Sequence, residues 1–111
     1  MSIEADRRKL QDYLTRPLAD LESELELYAP ASRGAAEIWD KIAGPLRQRI
    51  CVEWDYCTAR QDARWGDDLD LAIIILGVLS EKAINLPIPV DLMTVTAILV
   101  KRGLDTFCNC Q

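Results

Sequence analysis

The stretch DDLDLAIIILGVLS, from Asp67 to Ser80, decides the architecture expected of this 111-residue chain. At about 100° per residue, its apolar side chains cover nearly the whole circumference of a helix. They are Leu69, Leu71, Ala72, Ile73, Ile75, Leu76, Val78 and Leu79. Leaving these faces in water would forfeit roughly 1.5 to 3 kcal/mol per large side chain. We therefore predict a central helix that neighbouring helices or a partner chain enclose.

Length and composition predict one globular domain. The chain is 50% hydrophobic and 28% charged, proportions typical of a folded protein. Its first ten residues carry five charges and no apolar core, so we expect no signal peptide. The longest nearly uncharged run, residues 71–80, is far shorter than the roughly 20 residues that cross a bilayer. These features predict a cytoplasmic protein without a membrane partner.

The charged residues narrow the classes of function. A net charge of −5 disfavours broad contact with nucleic acid phosphates. The chain contains no histidine, which removes the commonest general base near neutral pH. The sequence also has neither a Gly-rich phosphate loop nor a nucleophile elbow. An enzyme is therefore disfavoured, and its candidate residues would be Glu53, Asp55 and Tyr56, acting between helices.

Two amphipathic helices are predicted near the N-terminus. Apolar residues at helical spacing predict the first over residues 3–15 and the second from Pro17 to a stop at Pro30. The second helix carries acidic residues on its other face, among them Glu22, Glu24 and Glu26. This face is either a solvated surface or a docking surface for a basic partner, whose approach these carboxylates would steer.

The middle of the chain predicts two helices separated by a kink. Ser32 is a plausible N-cap for a helix to about residue 43, and Gly44-Pro45 then kinks or briefly breaks it. A fourth helix over 45–64 has two apolar stripes, the second being Val52, Tyr56, Ala59 and Ala63. Because a surface helix needs only one such face, this second stripe either packs inside the bundle or binds a second protomer or another protein.

The end of the chain predicts one more helix. Asp91 is a natural N-cap, residues 92–102 are apolar at helical spacing, and Gly103 is a natural C-cap. The fold class is therefore all-α: a compact bundle of five or six helices in one domain, residues 1–105, with a tail, 106–111. Its central apolar helix, about 68–84, pairs with the last helix, about 91–103. The acidic residues Asp67, Asp68 and Asp70 are interpreted as helix-capping groups rather than metal ligands.

The four cysteines fall in two groups. Cys51 and Cys57 are six residues apart, which on an unbroken helix places them about 120° apart, so one metal ion could hardly bind both. Cys57 is predicted to be a buried small hydrophobe. Cys108 and Cys110 lie in the tail, which either frays, binds a soft metal or cross-links, or docks through Phe107. In a reducing cytosol we expect no structural disulfide.

Three functions remain open from the sequence. The first is a non-catalytic protein–protein interaction or regulatory module, without a cofactor, that binds a second copy of itself or another protein. The second is a thiol or soft-metal (zinc) binding protein that uses Cys108 and Cys110. The third is the small enzyme with a carboxylate and tyrosine site.

Overall fold

Helices form where the sequence repeats apolar residues at helical spacing. The computed structural model describes residues 3–28, 34–62, 66–81 and 83–110. Within these ranges the elements are α1 (Ile3–Thr15), α2 (Leu18–Tyr28), α3 (Ala35–Arg47), a π-helical segment (Gln48–Glu53), α4 (Tyr56–Asp62), α5 (Asp68–Glu81), α6 (Leu92–Arg102) and α7 (Leu104–Phe107). No strand occurs in those ranges, and the predicted all-α bundle is confirmed. The Cα radius of gyration is 13.5 Å.

The helix α6 lies at the centre of the packing. Every residue from Thr94 to Val100 is buried, because α5, α1 and α2 all pack against this helix. The contact between α5 and α6 confirms the predicted pairing of the central apolar helix with the last long one. Asp91 caps α6 as predicted, since its carboxylate accepts a hydrogen bond from the backbone N–H of Met93 at 3.3 Å. Gly103 ends the helix with a φ of 98°, a conformation that favours glycine.

The apolar helix α5 is only partly enclosed. Ala72, Ile75 and Leu79 are buried, whereas Ile73 and Leu76 are half-buried and Ile74 is 37% exposed. Neighbouring helices of the same chain therefore do not enclose this face, and the alternative of enclosure by a partner chain stays a prediction. The reason is that α1 divides its packing surface between α5 and α6. None of the described helices has both the length and the apolar character that spanning a bilayer requires.

The predicted single helix over 45–64 is also wrong. The α3 helix continues through Pro45 to Arg47 and passes into the π-helical segment, where the N–H of Trp54 bonds the carbonyl of Arg49 at 3.1 Å. The chain then turns at Asp55, whose φ of 56° lies in the left-handed region that aspartate tolerates better than most residues. The Asp55 carbonyl accepts the first bonds of α4. The turn separates residues that a continuous helix would have aligned. The predicted N-cap Ser32 lies outside the described residues.

Candidate functional site

The C-terminal tail is covalently attached to the middle of the chain. Disulfides join Cys51 to Cys108 and Cys57 to Cys110, with Cα–Cα distances of 5.4 and 5.5 Å. The expectation of no structural disulfide is therefore wrong, and Cys57, predicted to be a buried small hydrophobe, is half-buried against the core and disulfide-bonded. The first expectation assumed a reducing cytosol, and the placement of Cys51 and Cys57 about 120° apart assumed an unbroken helix, whereas the turn at Asp55 allows both cysteines to face the tail. None of the four cysteines remains free.

A polar network and an aromatic contact support the two disulfides. The hydroxyl of Tyr56 donates a hydrogen bond to Asp105 at 2.8 Å, and the guanidinium of Arg60 lies 2.9 Å from the other oxygen of the same carboxylate. The ring of Phe107 packs edge-on against Trp39, with centroids 6.1 Å apart, and Arg47 stacks over it at 4.8 Å. We call this assembly the C-terminal clamp. It agrees with the alternative in which the tail docks through Phe107.

The clamp sets the chemistry of Tyr56. Burial, followed by the hydrogen bond and the charge of Asp105, raises the pKa of Tyr56 to about 12. Its hydroxyl is therefore protonated at neutral pH and is a donor rather than a base. Glu53 instead lines a cleft of about 240 Å³ with Arg49, whose Nε lies 3.7 Å from the Glu53 carboxylate. Of the three residues predicted for an enzyme site, Glu53 lines this cleft and Asp55 and Tyr56 do not, since the Tyr56 hydroxyl is bonded to Asp105 in the clamp.

The uncovered face of α5 forms a groove. This cavity, of about 470 Å³, lies between α1, α5 and the start of α6. We call it the α5 groove; its apolar lining is Leu10, Ile73, Leu76, Gly77, Leu92 and Met93. A Cβ atom added at Gly77 would meet nothing within 4 Å, so the groove is open above this residue. Its lining is apolar on all three helices, with Asp6, Ser80 and Asp91 as the polar members.

A charged cleft continues the α5 groove. This second cavity, of about 430 Å³, shares Asp91 and Met93 with the groove and is otherwise lined from α1 and the residue that follows it. Arg8 and Lys9 are exposed there, and neither forms an ion pair among the described side chains. Arg16 differs, because it pairs with Asp12 and Glu24. We call this cavity the basic cleft.

The predicted acidic face of α2 is partly used within the molecule. Glu24 accepts hydrogen bonds from Arg16 and from the Thr94 hydroxyl, and Glu22 pairs with Arg102 at 3.3 Å. Glu26 is exposed. Beyond it, Leu27 is 78% exposed and Tyr28 is 40% exposed. We call Leu27 and Tyr28 the α2 tip.

Val52, Tyr56 and Ala59, the described residues of the predicted partner stripe, do not share one helix face. Val52 lies in the π-helical segment and is 63% exposed, while Tyr56 begins α4 and is buried in the clamp. Ala59 is half-buried, and Ala63 lies outside the described residues. Among these positions, Val52 is therefore the one that offers a large apolar side chain to solvent.

Asp67 and Asp70, just before and within the first turn of α5, have structural roles. Asp67 accepts a hydrogen bond from the N–H of Asp70 at 2.9 Å, and Asp70 pairs with Arg7 at 3.1 Å. Across the described ranges, no group of three or more cysteine, aspartate or glutamate side chains is arranged to hold a metal ion.

Sequence reasoning missed the groove and the α2 tip. A signal for the tip was present, because Leu27 falls outside the apolar stripe of Leu18, Leu21 and Leu25 and so must point away from the bundle.

No protein-family model, no curated protein and no solved structure matches this chain.

Proposed function

We propose that this chain is a non-catalytic protein–protein interaction module that associates with a second copy of itself. The observation that carries the proposal is the α5 groove, because it leaves apolar side chains of the central helix open to solvent. Ile73 and Leu76 keep part of their surface in water, although burial of a large aliphatic side chain gains roughly 1.5 to 3 kcal/mol. An apolar groove that is continuous with a charged cleft is typical of a binding surface.

Sedimentation velocity of the oxidised 111-residue chain across the micromolar range tests this function. We expect a reversible equilibrium between monomer and dimer. Non-reducing electrophoresis provides the control, since a dimer held by exchanged disulfides would survive denaturation. A protein that remains monomeric throughout the range would contradict the proposal.

Val52 offers a second surface that the same measurement can examine. It is the exposed member of the stripe predicted from the sequence, and Val52→Glu would place a carboxylate there without disturbing buried side chains. If self-association uses that stripe, Val52→Glu weakens it. If it uses the α5 groove, Val52→Glu leaves it unchanged.

Thiol chemistry is a second candidate function, and the gathering of all four cysteines in the clamp supports it. Reduction of both disulfides would free four thiols close together, two of them on the Cys108 and Cys110 tail. Metal analysis of the reduced protein, compared with a Cys108→Ser, Cys110→Ser variant, tests the zinc-binding form of this candidate. Equal and negligible metal in both proteins would exclude it.

The cysteines also provide a test of location. Disulfides are typical of oxidising compartments, while a cytoplasmic protein is expected to hold its thiols reduced. The cytoplasmic location remains a prediction. Alkylating free thiols in intact cells before lysis checks it, because cytoplasmic protein should carry the label on all four cysteines and protein from an oxidising compartment on none.

A further inference from the structure

The C-terminal part of α2 and the α5 groove both border the first turn of α6. Glu24, one turn before the tip, bonds the hydroxyl of Thr94 in the first turn of α6 at 3.0 Å. Asp91, which caps that turn, also lines the groove. Burial and the charges of Asp91 and Glu24 raise the pKa of Tyr28, so the tip lies near a carboxylate that lines the groove.

We infer that the α2 tip of one copy of this chain docks in the α5 groove of a second copy, while the α2 tip of the second copy docks in the α5 groove of the first. The inference rests on the proposed self-association and names its surface. Because projection and groove are neighbours, a twofold axis between two copies would bring each projection to the other copy's groove. Such an isologous arrangement closes at the dimer, whereas head-to-tail contacts would continue into longer assemblies.

Size and polarity suit this occupant. Leu27 is the most exposed of the large apolar side chains in the described structure, and the groove, at about 470 Å³, has ample room for it. Gly77 permits close approach, since the space above it is empty. Leu10, Leu76 and Met93 would surround the incoming side chain, and the methionine can adapt its shape to it.

The charges around the two surfaces are complementary. Glu26 is exposed next to Leu27 on the tip, and Arg8 and Lys9 are exposed in the basic cleft that continues the groove. Docking of the tip would bring the carboxylate of one copy toward the cations of the other. In a chain with a net charge of −5, this attraction favours a second copy over random contact between acidic surfaces.

Two substitutions disrupt opposite sides of this interface without touching the core. Leu27→Glu replaces a side chain that is 78% exposed. Gly77→Lys adds a long side chain to an exposed helical position where a Cβ meets nothing within 4 Å. Lysine is also a better helix former than glycine. Circular dichroism should therefore show native helicity for both variants.

Sedimentation velocity then compares the wild type, each variant and their equimolar mixture. Each variant alone should self-associate at least roughly tenfold more weakly than the wild type, because its charge would enter the apolar groove. The mixture should recover the dimer. In the mixed dimer, the unchanged tip of the Gly77→Lys copy docks in the unchanged groove of the Leu27→Glu copy. The other contact brings the introduced carboxylate to the introduced ammonium.

Val52→Glu is the matched control, since it also places a carboxylate at an exposed apolar residue, and it should dimerise like the wild type. A wild type that dimerises while Leu27→Glu dimerises equally well would overturn this inference and leave the proposed function standing. An equimolar mixture of Leu27→Glu and Gly77→Lys that stays monomeric would overturn the inference in the same way. A monomeric wild type would overturn the proposed function itself.

Discussion

Thr94 and Thr96 lie two residues apart on α6 and are both fully buried, yet their hydroxyls have different environments. The Thr94 hydroxyl lies 3.0 Å from Glu24 and 3.1 Å from Asp91, and its single proton is shared between these two carboxylates. The hydroxyl of Thr96 has no hydrogen-bond partner among the described residues. A buried polar group without a partner lowers stability.

Replacing each threonine by valine should therefore change stability in opposite directions. Thr96→Val should raise the free energy of unfolding by about 1 kcal/mol, because an unpaired hydroxyl is removed. Thr94→Val should lower it by about 2 kcal/mol, because the carboxylates of Glu24 and Asp91 lose the hydroxyl proton that they share. Urea unfolding of both variants checks this pair, each serving as the control for the other. A loss of stability in Thr96→Val would contradict the expectation.

Tyr56 makes the free energy of unfolding depend on pH under alkaline conditions. Its pKa in the folded protein is raised to about 12 from an ordinary value of 10.0, so the folded state keeps a proton that the unfolded state loses. The stabilisation is fully present below pH 10 and is lost as the pH rises toward 12. Unfolding measured between these limits should show a decline that Tyr56→Phe reduces. An equal decline in both proteins would contradict this role of Tyr56.

At the scale of helices, local patterns were predictive and long-range ones were not. The stripes and caps of α1, α2 and α6 are set by neighbouring residues, so the sequence alone located these helices. The segment after Arg47 was mispredicted because its π-helical turns and the left-handed Asp55 coincide with disulfides to a tail more than 50 residues away. The α5 groove could not be foreseen, since it depends on where α1 rests across α5 and α6.

The two disulfides should contribute to stability in a non-additive way. They close overlapping loops with sequence separations of 57 and 53 residues. Replacing Cys57 and Cys110 by serine leaves the Cys51–Cys108 bond to close the long loop. Loss of the Cys57–Cys110 bond should therefore lower the free energy of unfolding by only about 2 to 3 kcal/mol. Removing the Cys51–Cys108 bond as well should lower the free energy of unfolding by about 4 kcal/mol more, since no disulfide then restrains the tail.

Guanidinium unfolding of the oxidised wild type, both double-serine variants and the four-serine variant checks this order. Intact mass before and after reduction verifies which bonds are closed in each sample. Equal losses at the two steps would show that the bonds act independently.

For the molecule as a whole, α6 separates two regions with different roles. Its first turn, capped by Asp91, borders the α5 groove, and Gly103 at its end leads into the C-terminal clamp. Eleven helical residues place these ends roughly 16 Å apart. We therefore expect the Cys57→Ser, Cys110→Ser variant to self-associate with wild-type affinity by sedimentation velocity. A large loss of affinity in this folded variant would show that the clamp belongs to the interface.

The central claim is that the open face of α5 is where two copies of this chain meet. Methyl NMR of the wild type, recorded from low to high micromolar concentration, tests it most directly. The account predicts concentration-dependent shifts for the methyl groups of Leu27, Ile73 and Leu76, with those of Val52 unchanged. Spectra that do not change with concentration, or changes confined to Val52, would contradict it.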